Sequence, residues 1–357
     1  MTGTPGARED ILALSGYKAG AQIADTIRLN ANEAPQSGSS DTIPAALNRY
    51  PEVHPMRLRR RMAELFGAPA ENTLVTRGSS EAIDVLIRAW CRAYSDSLIT
   101  TPPTFDMYRV YANIQGAQII EVPLAADNDF QLDADAVIRS CTPDTKLIFI
   151  CSPNNPTGTL VPESDIMTIL AARRRQSLVV VDEAYIEFAD RESIARKVPD
   201  YDNLVVLRTL SKAHALAGAR CGAAIASEEI IAILGRVLPP YSFPTPVIES
   251  VMAALADDRM AASRAAVTEI IRQRARMGEA LSSLPCVAWV WPSQSNFLLV
   301  RFHDLAIVQE QLLARNILIR DISAGPGLAK CARITIGAVE ENDALLEALA
   351  AIEGVAQ

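Results

Sequence analysis

The chain has 357 residues, of which 49% are hydrophobic and 21% charged, with a formal net charge of -8. That length exceeds one small core and suits two domains, and the apolar content is that of a globular protein. The acidic balance argues against a nucleic-acid partner, and no run is apolar enough for long enough to make a membrane partner expected.

Smaller features narrow the class further. Arg57, Arg59, Arg60 and Arg61 form a basic cluster, read as a solvated helix face. The first residues carry no apolar signal core, and six cysteines are scattered without C-x-x-C spacing. They read as reduced, mostly buried thiols in a cytoplasmic protein. Three histidines, His54, His214 and His303, do not pair at ligand spacing, so no metal site is expected.

In chain order, residues 1–45 are rich in Gly, Ser and Asn, with a loop at 35–40, and read as an arm. A helix over 56–66 carries Leu58, Met62, Leu65 and Phe66 on one stripe, and one over 81–94 carries Ile83, Leu86, Ile87, Trp90 and Tyr94. Strand candidates follow at Leu74–Thr76, Leu98–Thr100, Gln118–Val122, Leu147–Cys151, Leu178–Val181, Leu204–Leu207 and Gly222–Ala226. Their alternation with helical patterns predicts an α/β fold over 46–245, a mostly parallel sheet covered on both faces, with its site at the carboxyl ends of the strands. Prolines 239, 240, 244 and 246 punctuate the chain, and a long helical stretch runs to about 284. Strands at Asn296–Phe302 and Arg333–Ile336 flank a helix at Ala306–Arg315, predicting a smaller α+β domain over 246–357.

The candidate chemistry sits at strand ends. Thr76-Arg-Gly-Ser-Ser-Glu-Ala-Ile83 passes from strand to helix, where free N–H groups favour a phosphate near Ser79 and Ser80; read alone, Ser80 is a helix cap. Cys151-Ser-Pro-Asn-Asn-Pro-Thr-Gly158 is a rigid loop that fixes the Asn154 and Asn155 amides, or simply a turn. Asp182 ends a valine run and needs a cationic or N–H partner, either within the fold or on a ligand ring nitrogen. Tyr185 follows three residues later, as core or as a ring contact. Lys212, read alone, is a surface loop lysine and Arg220 a surface ion pair; together with Ser211 they make an amine nucleophile next to an anion pocket, and Arg320 and Arg333 mark strand ends in the tail. One ligand, pyridoxal 5'-phosphate, would use these groups together: phosphate, ring nitrogen, ring hydroxyl and aldehyde.

These motifs, with Asn30-Ala-Asn-Glu33, Tyr50-Pro-Glu52, Pro102-Pro-Thr-Phe-Asp-Met-Tyr108 and Arg333-Ile-Thr-Ile-Gly337, resemble fold-type I pyridoxal-phosphate aminotransferases, and most closely the histidinol-phosphate aminotransferase family. The resemblance implies a seven-stranded sheet in the large domain. It implies that Lys212 links covalently to the cofactor aldehyde, Asp182 holds the ring nitrogen protonated, and Asn155 and Tyr185 contact the ring oxygen. Phe105 would stack on the ring, where relatives commonly have Tyr, and Ser79, Ser80, Ser211 and Arg220 would bind the phosphate. Tyr50 would reach the phosphate in a neighbouring subunit, implying a homodimer with shared sites, and Arg333, Arg320, Tyr17, Asn32 and Asn155 would face the substrate. A cis peptide at Asn155-Pro156 is a further implication. The implied substrates are histidinol phosphate and glutamate or 2-oxoglutarate. The alternatives are an aromatic or broad-specificity aminotransferase and a phosphothreonine decarboxylase-like enzyme.

Overall fold

A computed structural model of the chain describes residues 6–17, 22, 28–34 and 47–352. The expected loop at 35–40 lies outside the described residues.

Seven strands build the larger sheet: β1 (Thr73–Thr76), β2 (Ser97–Thr100), β3 (Gln118–Glu121), β4 (Thr145–Cys151), β5 (Leu178–Asp182), β6 (Leu204–Thr209) and β7 (Gly222–Ile225). Their order is β1-β7-β6-β5-β4-β2-β3. Only β7 runs against its neighbours β1 and β6, so the other six point one way. The side-chain period of two divides each strand between two cores. Val179 and Val181 join the cluster containing Ile148, Ile150 and Val206, while Leu178 and Val180 join that of Leu147, Phe149 and Leu207. Burial on both faces is why these strands read as unbroken apolar runs.

A second, antiparallel sheet comprises β8 (Val287–Val290), β9 (Phe297–Phe302), β10 (Arg320–Asp321) and β11 (Cys331–Thr335), in the order β10-β11-β9-β8. Its own core gathers Met277, Leu281, Val300, Phe302, Val308 and Ile334. The sequence anticipates β9 and β11 but neither edge strand. β10 is two exposed charged residues with no apolar pattern to detect, and β8, Val-Ala-Trp-Val, is a short apolar run without the alternation that marks a strand.

Three expectations are corrected. The helix expected over 81–94 spans Ser79–Trp90; Tyr94 lies beyond its end at φ 60 and is 88% exposed. The Asp96 carboxylate takes the Arg92 backbone N–H at 2.7 Å and stabilises the turn there. The long stretch after 245 is two helices, Thr245–Ala254 and Asp257–Ser282. Arg61 stands at the break between them, donating from Nε to the Leu255 carbonyl at 2.9 Å and pairing with Asp257 at 2.7 Å. The basic cluster is therefore only partly solvated: Arg57 and Arg60 face water, while Arg61 joins two helices and Arg59 holds the Ala70 carbonyl. Of the six free cysteines, five are buried and Cys141 is partly so. Among the described residues, no helix is long and apolar enough to cross a membrane.

Candidate active site

The carboxyl ends of β4, β5 and β6 open onto one cavity of about 150 Å³. Ser79, Ser80, Phe105, Asn155, Asp182, Tyr185, Ser211, Lys212 and Arg220 all line it. Residues far apart in sequence meet because parallel strands end at the same edge. Asn155, Arg320 and Arg333 line an adjoining outer cavity of about 630 Å³, against the four-stranded sheet.

Asp182 forms the floor. Its oxygens take the Tyr108 hydroxyl at 2.9 Å and the Ala184 backbone N–H at 3.1 Å. Among the described residues no cation pairs with it. Burial pushes its pKa up to about 6, against the hydrogen bonds from Tyr108 and Ala184. A buried carboxylate so placed suits a ligand that brings its own N–H cation.

Lys212 projects into the cavity, its Nζ 5.6 Å from the Tyr185 ring centre. Although open to the cavity, it is desolvated by the surrounding walls; this, followed by the charges of Arg333 and Arg220, holds its amine below the usual lysine range. Burial keeps the Tyr185 phenol protonated, and its ring meets Phe297 edge-on at 5.2 Å.

The anion side combines a helix start with one guanidinium. Gly78, at φ 75, is the residue before the helix, so Ser79 and Ser80 are its first members and neither caps it. This corrects the reading of Ser80 as a cap and leaves both hydroxyls and the first N–H groups for a ligand. Arg220 lies over Gly78 so closely that a Cβ there would sit 2.8 Å from Nη2. Its Nη1 reaches the Ser211 hydroxyl at 3.5 Å, and Thr209 donates to that hydroxyl at 2.9 Å. Gly222 backs the same corner: a Cβ would fall 2.8 Å from the Ser79 nitrogen and 2.7 Å from the Arg208 carbonyl.

The Asn155-Pro156 peptide is cis, as are Pro102-Pro103 and Ser152-Pro153. The Asn155 carbonyl oxygen accepts from Arg333 Nη1 at 2.6 Å, leaving its NH₂ to donate elsewhere. Arg333 thus bridges the two sheets at the site, with its guanidinium 5.5 Å from the Phe297 ring centre.

Three expected site residues do not join this wall. Tyr50 is half exposed and stacks on Tyr241 at 4.6 Å; Tyr17 meets the same ring edge-on at 5.8 Å. Asn32 is exposed at φ 55. Glu33, next to Asn32, ties this region together, accepting from the Tyr50 backbone N–H at 2.8 Å and pairing with Arg28 and Arg49.

Sequence reasoning gave no role to Tyr108 or Tyr241. Tyr108 lies three residues after Phe105, where an aromatic at helical spacing looks like core. It also missed a buried ion group beneath the floor: Arg208 pairs with Glu187 at 2.7 Å and Glu183 at 3.9 Å, and His214 stands 3.8 Å from Glu187.

Comparison with known proteins places these features in a family. A model of the aminotransferase class I and II family matches residues 24–352. The histidinol-phosphate aminotransferase of Stenotrophomonas maltophilia is 45% identical over 350 residues, covering 96% of this chain and 95% of its own. The structure of the histidinol-phosphate aminotransferase from Clostridium acetobutylicum superposes with a TM-score of 0.78 at 23% identity, over 86% of this chain and 91% of that one. That from Sinorhizobium meliloti, solved in complex with pyridoxal-5'-phosphate, gives 0.76 at 23% identity, over 85% and 83%. The chain belongs to the aminotransferase class I and II family, with the fold-type I architecture of those structures.

Proposed function

We propose that this chain is a pyridoxal-phosphate-dependent histidinol-phosphate aminotransferase, moving an amino group between histidinol phosphate and 2-oxoglutarate. The observation that carries the cofactor reading is Asp182, a buried carboxylate with no paired cation among the described residues, in one cavity with Lys212 and an anion corner. The substrate reading rests on relatives of that name, 45% and 42% identical over nearly the whole chain. Residues 1–45 form the arm, 46–245 the cofactor domain and 246–357 the small domain, and two chains pair to share their sites.

The residues present fit the cofactor. Ser79, Ser80, Ser211 and Arg220 hold the phosphate, Asp182 the ring nitrogen, Asn155 and Tyr185 the ring oxygen, and Phe105 a ring face. When bound, pyridoxal phosphate supplies an electron sink that stabilises negative charge at the substrate Cα. Lys212 Nζ is first the nucleophile that anchors the cofactor aldehyde. Once freed from the cofactor, the same nitrogen would take the proton from the substrate Cα and deliver it to the cofactor's former aldehyde carbon, the shift that moves the amino group. Both tasks need a neutral amine, which desolvation and the charges of Arg333 and Arg220 favour.

Arg333 and Arg320 face the outer cavity, where a guanidinium fork matches phosphate and carboxylate alike. Arg333 therefore anchors the phosphate in one half-reaction and a glutamate carboxylate in the other. The test is amino transfer from histidinol phosphate to 2-oxoglutarate by the purified protein, beside phenylalanine and threonine phosphate. Turnover of histidinol phosphate supports the reading. A preference for phenylalanine identifies an aromatic aminotransferase, and carbon dioxide release from threonine phosphate a decarboxylase.

A further inference from the structure

Tyr108 belongs to no role described so far, yet it touches both sides of the ring pocket. It is fully buried in the helix Met107–Gln115. Its hydroxyl donates to Asp182 Oδ2 at 2.9 Å. Its ring stacks on Phe149 with centroids 4.7 Å apart and 13° between planes. It also meets Phe105 edge-on at 5.7 Å, so the group under the ring nitrogen and the group against the ring face share one support.

We propose that Tyr108 is a positioning residue that keeps Asp182 anionic and aimed, and thereby keeps the proton on the cofactor nitrogen. This rests on the pyridoxal-phosphate reading above. A phenol beside a buried carboxylate has two possible uses: to shield it, or to hold its charge. The geometry selects the second, because among the described residues Oδ1 accepts only from the Ala184 N–H and Oδ2 only from this hydroxyl. Without the hydroxyl, burial acts unopposed on Oδ2 and the carboxyl gains basicity. The shared proton then moves from the ring nitrogen toward Asp182, and the ring loses its positive charge. The direction of the titration agrees, since the Tyr108 hydrogen bond lowers the pKa of Asp182 and burial raises it.

The experiment uses cofactor-free protein titrated with pyridoxal phosphate labelled with ¹⁵N in the ring. Tyr108→Phe retains the ring contacts to Phe149 and Phe105 and removes one oxygen. It should bind about tenfold more weakly, as for one hydrogen bond to a charged group. Its ¹⁵N signal should move toward the neutral-pyridine position. Should this variant not fold, 3,5-difluorotyrosine placed at position 108 decides, because a more acidic phenol should move the signal the opposite way. Binding and ¹⁵N position unchanged from wild type, in Tyr108→Phe or in the fluorinated protein if that is the one that folds, would overturn the proposal. Wild-type protein that takes up no pyridoxal phosphate overturns the cofactor reading as well; uptake with an insensitive signal overturns the role of Tyr108 alone.

Discussion

The floor of the cavity and the tyrosine group of Tyr17, Tyr50 and Tyr241 are built on opposite plans. At the floor, groups are held by buried partners: Asp182 by Tyr108, with the Arg208–Glu187 pair beneath, and Asn155 by Arg333 from the second sheet. The tyrosines stack on one another at the surface, with Tyr17 and Tyr50 at least half exposed. A site that performs chemistry needs atoms fixed to fractions of an ångström, which burial and paired hydrogen bonds provide. An exposed aromatic group leaves apolar surface open to a partner.

That contrast can be broken at several points. The largest effect is expected from Lys212→Ala, which should lower turnover by on the order of 10⁴-fold and remove the visible absorbance of lysine-bound cofactor. A variant keeping both would mean that the floor is not the reactive centre. Arg208→Ala leaves Glu183 and Glu187 buried without their guanidinium, and should cost about 3–5 kcal/mol in denaturant unfolding. A cost below about 1 kcal/mol would show that the floor is not supported from beneath.

Arg333→Ala should weaken both half-reactions, each by roughly tenfold to a hundredfold in single-turnover rates. Loss in only one would separate phosphate from carboxylate binding. The floor should also titrate. Asp182 is neutral below a pKa of about 6 in the cofactor-free protein, so uptake of pyridoxal phosphate should fall as the pH drops through about 6 and be retained above it. Uptake that is flat from pH 5 to pH 7 would contradict the pairing with the ring nitrogen.

The smallest signal addresses the tyrosines. If Tyr50 serves the neighbouring chain, mixing Lys212→Ala chains with Tyr50→Ala chains creates one intact site in each mixed dimer, and about a quarter of wild-type activity should return. If Tyr50 works within its own chain, no mixture restores a site.

The large sheet was legible because its central strands β4, β5 and β6 are apolar on both faces and end at the sequence motifs. Lys212, Asp182, Asn155 and Arg220 were legible because polar residues at the ends of such runs have few structural reasons to be there. The edge strands β8 and β10 were not, since the four apolar residues of β8 do not alternate and the two charged residues of β10 are too few to show a period. Tyr108 and Arg208 escaped for a different reason. Each lies in a segment whose apolar neighbours explain its burial, and only three-dimensional contact reveals that their polar atoms meet carboxylates. Tyr241 sits among prolines that mark a boundary, which hid its stacking on Tyr50.

Gly222 adds a constraint of another kind. Because even a methyl there would collide with Gly78, the Ser79 nitrogen and the Arg208 carbonyl, the width of the anion corner is set by an atom that is missing. Variation at Ser79, Ser80 or Ser211 can change what lines that corner, but a library randomised at 222 has no substitution that leaves its shape alone.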